Sequence, residues 1–150
     1  EVARLGFITA FKRVVENEFS TVFDAVRWEI SPEAQVAAQS LPTLTAEVVF
    51  YAAREAVRNA AKHGRGGKAE RPLTLTVTMQ HTNHLTITIT DDGVGLGNSE
   101  TSGSGQGLAL HSTMMAVVGG EVVVDTAAHQ FTRVTLNVPV TPVPASASSA

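Results

Sequence analysis

Glu55, Asn59, Lys62 and His63 fall within one short segment, EAVRNAAKH. On a helix the first two lie four apart and project from one face, and the last two continue it, so a carboxylate, an amide, an ammonium and an imidazole form a single polar strip. The strip reads either as a functional surface or as the solvated face of an amphipathic helix. A second candidate is Asp91 in DDGVG. Leu85, Ile87 and Ile89 share the inward face of the strand before it, and a period of two places Asp91, not Asp92, on that face. An inward carboxylate needs hydrogen-bond donors, and Gly93 and Gly95 let the backbone turn close to whatever supplies them. The third is GSGQGLAL, residues 103 to 110, with Gly103, Gly105 and Gly107 running into Leu108. Bare backbone N–H groups at the start of a helix suit a phosphate. A flexible loop that ends at a helix has the same composition.

Positioning these residues is the work of regular elements. Val2, Leu5, Ile8, Phe11 and Val15 form one apolar stripe and predict an amphipathic helix over 2–15. Val26, Trp28 and Ile30 alternate with Arg27 and Glu29, a half-buried strand that Pro32 ends. TLTAEVVFYAAREAVRNAAKHG is the strongest helix, with alanine and valine on adjacent lines, Lys62 and His63 in its last turn and Gly64 as its stop. LTLTVTM (73–79) and LTITIT (85–90) alternate strictly and predict an antiparallel hairpin, threonines toward solvent and aliphatic side chains toward the helices. Six of the twelve glycines lie between Gly93 and Gly107, which predicts a mobile loop, followed by a short helix to about Val118. Gly119 and Gly120 turn the chain into the strand EVVVDT, and FTRVTLNVPV supplies the last strand, ending at Pro139. The sum is an α/β (α+β) two-layer sandwich, helices on one face of a mixed, mostly antiparallel sheet. A dinucleotide-binding fold is disfavoured, because the glycine loop follows a hairpin rather than the first strand of a βαβ unit.

In this order and on these elements, EAVRNAAKH, DDGVG and GSGQG resemble the asparagine box and the two glycine boxes of the GHKL ATPase superfamily, and within it the catalytic ATP-binding domain of bacterial sensor histidine kinases. The resemblance implies the Bergerat fold over residues 1–140, with Mg²⁺ and ATP as cofactors. It implies that Asn59 binds Mg²⁺ through its side-chain oxygen, that Lys62 and His63 lie near the phosphates, and that Asp91 accepts a hydrogen bond from the adenine amine. Gly93 and Gly95 would leave room beside base and sugar; residues 96–104 would form a lid, and Gly103, Gly105, Gly107 and Leu108 would offer N–H groups to the phosphates. Glu55 would assist, or touch the metal through water. The family's last strand usually opens with Gly-Thr, whereas here Phe131 precedes Thr132, so the contact expected of Thr132 is altered.

The implied activity is transfer of the γ-phosphoryl of ATP to a histidine on a separate dimerisation and phosphoacceptor domain, upstream of a response regulator. None of His81, His84, His111 or His129 sits in a phosphoacceptor-like helix, so the acceptor would precede this segment. An anti-sigma factor serine kinase has a similar N-A-x-x-H-G ending to its asparagine box, but the Gly119-Gly120 entry to a strand favours the histidine kinase pattern. A nucleotide-sensing module without catalysis is the further alternative.

A formal charge of -3 and a pI near 5.9 provide no broad basic field, so neither nucleic acid nor a membrane surface is an expected partner. The absence of cysteine removes disulfides, thiolate nucleophiles and cysteine-ligated zinc, which permits a cytoplasmic setting whether or not a parent protein is membrane-anchored. No apolar run approaches the roughly 20 residues of a membrane helix. The ending TPVPASASSA (141–150) has nothing to bury and predicts a disordered tail, and the fragment is expected to be a monomer.

Overall fold

A computed structural model describes residues 2–95 and 98–140, the side chains of 98–107 excepted. The expected tail, 141–150, lies outside the described residues.

The single helix predicted over 2–15 is two: α1 (Val2–Leu5) and α2 (Phe7–Glu18). Gly6 separates them with φ 84 and ψ 163, a conformation open to glycine because it has no Cβ. The break rotates α2, so Phe7 and Ala10 join Val2, Phe11 and Val15 in the core while Leu5 and Ile8 are only partly buried. The ring of Phe11 meets Trp28 edge-on at 5.7 Å, which seats α2 against β1 (Ala25–Ile30). Pro32 does end that strand, and it also opens α3 (Pro32–Gln39), a helix absent from the sequence reading. The Ser31 hydroxyl accepts the Ala34 N–H at 3.1 Å, so the pair forms an N-cap followed by proline in the first turn.

α4 (Thr43–His63) stops at Gly64 as predicted. β2 (Thr74–His81) and β3 (His84–Asp91) form the expected hairpin, with Val77 opposite Ile89 and Met79 opposite Ile87. Their aliphatic side chains are buried and their threonines half-exposed, so the period of two sorts the two faces cleanly. α5 (Asn98–Val117) then leads to β4 (Glu121–Ala127) and β5 (Phe131–Pro139). The sheet order is β1-β2-β3-β5-β4, parallel only between β1 and β2. The helices cover its aliphatic face, giving the two-layer α/β arrangement expected.

One element departs from expectation in extent. The glycine-rich stretch before Leu108, read as a loop, belongs to α5. Each glycine costs about 1 kcal/mol in a helix relative to alanine. Once Leu108 and Met115 anchor the helix in the core, extension adds a backbone hydrogen bond per residue, and cooperativity overrides the local preference.

Candidate active site

The C-terminal halves of β3 and α4 converge at one end of the sheet. Asp91 is the last residue of β3, flanked by Leu75 of β2 and Thr132 of β5 in the register, and only 4% of it is exposed. Among the described residues it is the one buried charged group. Its Oδ1 accepts the Gly93 N–H at 3.0 Å. Burial pushes the carboxyl up to about 6, with Asp92 adding to the rise; the Gly93 N–H and Arg71 offset it in part. The Gly93 N–H occupies one of the acceptor positions of that carboxyl, which has capacity for further donors.

α4 supplies the facing wall. Asn59, His63 and Gly64, with Ala56 and Ala60 on the same side, line a cleft closed by Ile89 and Asp91 of β3, Thr132 and Val134 of β5, Gly95, and Leu108 of α5. The Asn59 Nδ2 is buried with no hydrogen-bond partner. A side-chain amide turned about its last torsion exchanges nitrogen for oxygen, so this position can serve a donor or a cation equally well. The enclosed space between the walls is about 20 Å³, room for a water molecule.

Of the residues singled out in the sequence, the fold brings Asn59, His63, Asp91, Gly95, Leu108 and Thr132 to this cleft. Thr132 reaches it despite the phenylalanine before it, because β5 pairs it directly with Asp91. Glu55, half-buried one turn before Asn59, and the exposed Lys62 are not among the lining residues. Gly103, Gly105 and Gly107 lie on α5, where side-chain surroundings are outside the described residues, as are positions 96 and 97 of the expected lid. At Gly93 a Cβ would stand 2.2 Å from the Gly64 carbonyl oxygen and 2.7 Å from Asp91 Oδ1, so its missing side chain admits the end of α4. At Gly95 the space is taken by the Ala127 carbonyl, 2.5 Å from an added Cβ. The walls that sequence reasoning missed, Ala56, Ala60, Ile89 and Val134, are apolar. Their only signal was periodicity: two alanines flank Asn59 on α4, and Ile89, paired with Val134, precedes Asp91 on one face.

The described residues hold no cluster of three or more His, Cys, Asp or Glu that could bind a metal by itself. A hard cation held here would therefore rest on the Asn59 oxygen, water and the oxygens of a ligand, a set that suits Mg²⁺ and its retained hydration. Nor is any described helix long and apolar enough to cross a membrane.

No curated protein matches the chain in sequence. Among solved structures it is similar to the histidine kinase domain of the blue-light activated histidine kinase of Erythrobacter litoralis, with a TM-score of 0.70 at 16% identity, covering 89% of this chain and 63% of that one. It is also similar to the histidine kinase AdeS of Acinetobacter baumannii, with a TM-score of 0.61 at 12% identity, covering 90% and 64%. The chain thus spans less than two thirds of either structure, and at such identity the likeness is one of fold. The model of one family matches residues 46–142, the stretch from α4 through β5 that carries every wall of the cleft. The chain belongs to the histidine kinase-, DNA gyrase B- and HSP90-like ATPases.

Proposed function

We propose that this chain is the ATP-binding catalytic domain of a sensor histidine kinase, which binds Mg-ATP and passes the γ-phosphoryl to a histidine on a separate phosphoacceptor domain. The observation that carries the reading is the pairing, across one cleft, of a buried acceptor, Asp91, with the unpartnered amide of Asn59. Asp91 accepts the adenine amine, and Ile89, Val134 and Ala56 give the base an apolar bed. Thr132, beside Asp91 in the register, offers a hydroxyl to the same ring. Asn59 holds Mg²⁺, which when bound neutralises charge on the phosphates. His63 lines the cleft at the end of α4, and Lys62, in the same last turn, would bring an ammonium toward the phosphates. Glu55, one turn back on α4 and outside the cleft lining, would assist from there or reach the metal through water. Catalysis on this plan is positioning and charge neutralisation, with the acceptor histidine as nucleophile.

Titration calorimetry of Mg-ATP into the chain tests the core of this reading. Saturable binding is expected. Asn59→Ala should weaken it by about tenfold, the worth of one charge-assisted contact. Failure of folded wild-type protein to bind would remove the reading and favour a module that has lost its nucleotide.

The phosphoacceptor needs a surface, and α4 and α5 offer one. Leu44 and Tyr51 on α4, and Leu110, Met114 and Val117 on α5, are large apolar residues left exposed at helical spacing. All but Val117 flank a groove floored by Val48, with Glu47 and His111 beside it. Two stripes of this kind accept a third helix in the manner of a bundle, and the acceptor helix pair is the occupant this function requires. In the parent kinase, Met114→Asp should slow phosphotransfer by about tenfold or more while Mg-ATP affinity stays at the wild-type value. Equal transfer rates would place the acceptor elsewhere.

A further inference from the structure

Arg65 follows Gly64 directly, one residue beyond the cleft wall, and its side chain is only 22% exposed. Its guanidinium donates to the carbonyl of Val22 at 2.5 Å and to the carbonyl of Arg71, and stands 3.6 Å from the Asp24 carboxylate. Asp24 is itself fixed: it accepts the Leu73 N–H at 2.7 Å, and its own N–H donates to the Leu73 carbonyl at 2.8 Å. One planar fork therefore joins the turn before β1 and the entry to β2 to the end of α4. A lysine, with a single compact head, cannot serve those three acceptors in their fixed directions.

The Gly64 carbonyl, next to this anchor, accepts the Val94 N–H at 2.9 Å. Gly93 packs on the same carbonyl so closely that no Cβ fits, and the Gly93 N–H is the donor that holds Asp91. On the far side, the Val94 carbonyl accepts the N–H of His129 in the β4–β5 turn at 2.5 Å. A shift of Gly64 is thus passed through one hydrogen bond and one steric contact to the buried carboxylate. Val22 and Asp24 lie outside residues 46–142, so the anchor ties the chain's N-terminal part to the cleft of the matched region.

We propose that Arg65 is a positioning residue of the cleft: seated on Val22, Asp24 and Arg71, it holds the Gly64 carbonyl where that group sets the Gly93–Val94 turn and, through the turn, the Asp91 carboxylate. Its consequence for nucleotide binding rests on the function proposed above. The test compares Arg65→Ala and Arg65→Lys in the full chain with Arg54→Ala, which cuts the exposed 2.9 Å pair between α4 and Glu18 of α2. Amide hydrogen exchange and Mg-ADP titration are the readouts. In Arg65→Ala, exchange at Val94 should quicken by about tenfold while the central amides of β2 and β3 keep their rates, and Mg-ADP affinity should fall by about tenfold. Free guanidinium below its denaturing range should restore both, lysine at position 65 should restore neither, and Arg54→Ala should match wild type. Unchanged exchange at Val94 in a folded Arg65→Ala overturns the proposal. So does a uniform rise across the sheet that guanidinium leaves in place, since that marks a role in global stability alone. If the wild type binds no nucleotide, the proposed function falls, while exchange at Val94 still decides whether Arg65 positions the turn.

Discussion

Asp91→Asn is expected to weaken Mg-ATP binding by about ten- to a hundredfold, the worth of a hydrogen bond to a charged acceptor, and yet to leave the fold at least as stable at neutral pH. Both effects have one cause. The carboxyl sits buried at the end of β3 and its pKa stands near 6 against 3.8 for an ordinary aspartate. Between those values the folded protein binds more protons than the unfolded chain, so this group's contribution to stability falls as pH rises through that window. At neutral pH the folded state carries the whole cost of the ionised form, on the order of 3 kcal/mol at about 1.36 kcal/mol per pH unit. Asparagine keeps the acceptor for the Gly93 N–H and removes that cost. Thermal unfolding from about pH 4 to about pH 7 should show wild type losing ground to the variant, and wild-type affinity should rise over the upper part of that range as the better acceptor forms. Asp92, Arg71 and, from α4, His63 also face this region. The difference between wild type and variant therefore isolates Asp91, and parallel stability curves would show that its burial costs nothing.

The inward placement of Asp91 is legible in the sequence because strict alternation is a rigid code. Leu85, Ile87 and Ile89 leave Asp91 no choice of face, and the alanine and valine lines of α4 fix where Asn59 and His63 point. Where the code is not strict, local pattern leaves the structure open. The apolar stripe of residues 2–15 runs straight through Gly6, and only the backbone shows that the chain turns there with φ 84. α3 announced itself by nothing more than Ser31 and Pro32, since its buried residues are the small Ala34, Ala37 and Ala38. In α5 the glycines argued locally for a loop, while the helix answered to the burial of Leu108 and Met115 further along. The parallel pairing of β1 with β2 joins residues some fifty positions apart, such as Ala25 with Thr74, and no short-range pattern encodes it.

The same limit governs the site. Six of the twelve residues that the motifs single out line the cleft, whereas its apolar walls carry no chemical signature. Glu55 and Lys62 share the helical spacing of Asn59 and His63 but stand off the cleft, because α4 exposes one side of the polar strip more than the other. Spacing identifies a face, and only packing decides which part of that face becomes a wall.

Gly93→Ala carries that distinction to its sharpest test. Glycines in such a position are ordinarily explained by a left-handed backbone or by room for a ligand. Gly93 is not among the described glycines with positive φ, whereas Gly95 has φ 76. The constraint at Gly93 is therefore steric and internal: a methyl group would meet the Gly64 oxygen at 2.2 Å, its carbonyl carbon at 2.7 Å and Asp91 Oδ1 at 2.7 Å. Two of those three atoms are backbone at the end of a 21-residue helix, and neither can yield without moving α4 or the turn that bears Val94. Overpacking of this kind costs about 1–3 kcal/mol. For a chain of this length each kcal/mol lowers the unfolding temperature by about 2–4 °C. The loss of nucleotide affinity should exceed what that destabilisation explains, because the displaced group is the one that aims Asp91, and it should persist at temperatures where the variant is fully folded. A variant that binds Mg-ATP as wild type does, with its unfolding temperature unchanged, would mean that the α4 end and the Asp91 turn are free to part, and that the cleft is held together from elsewhere.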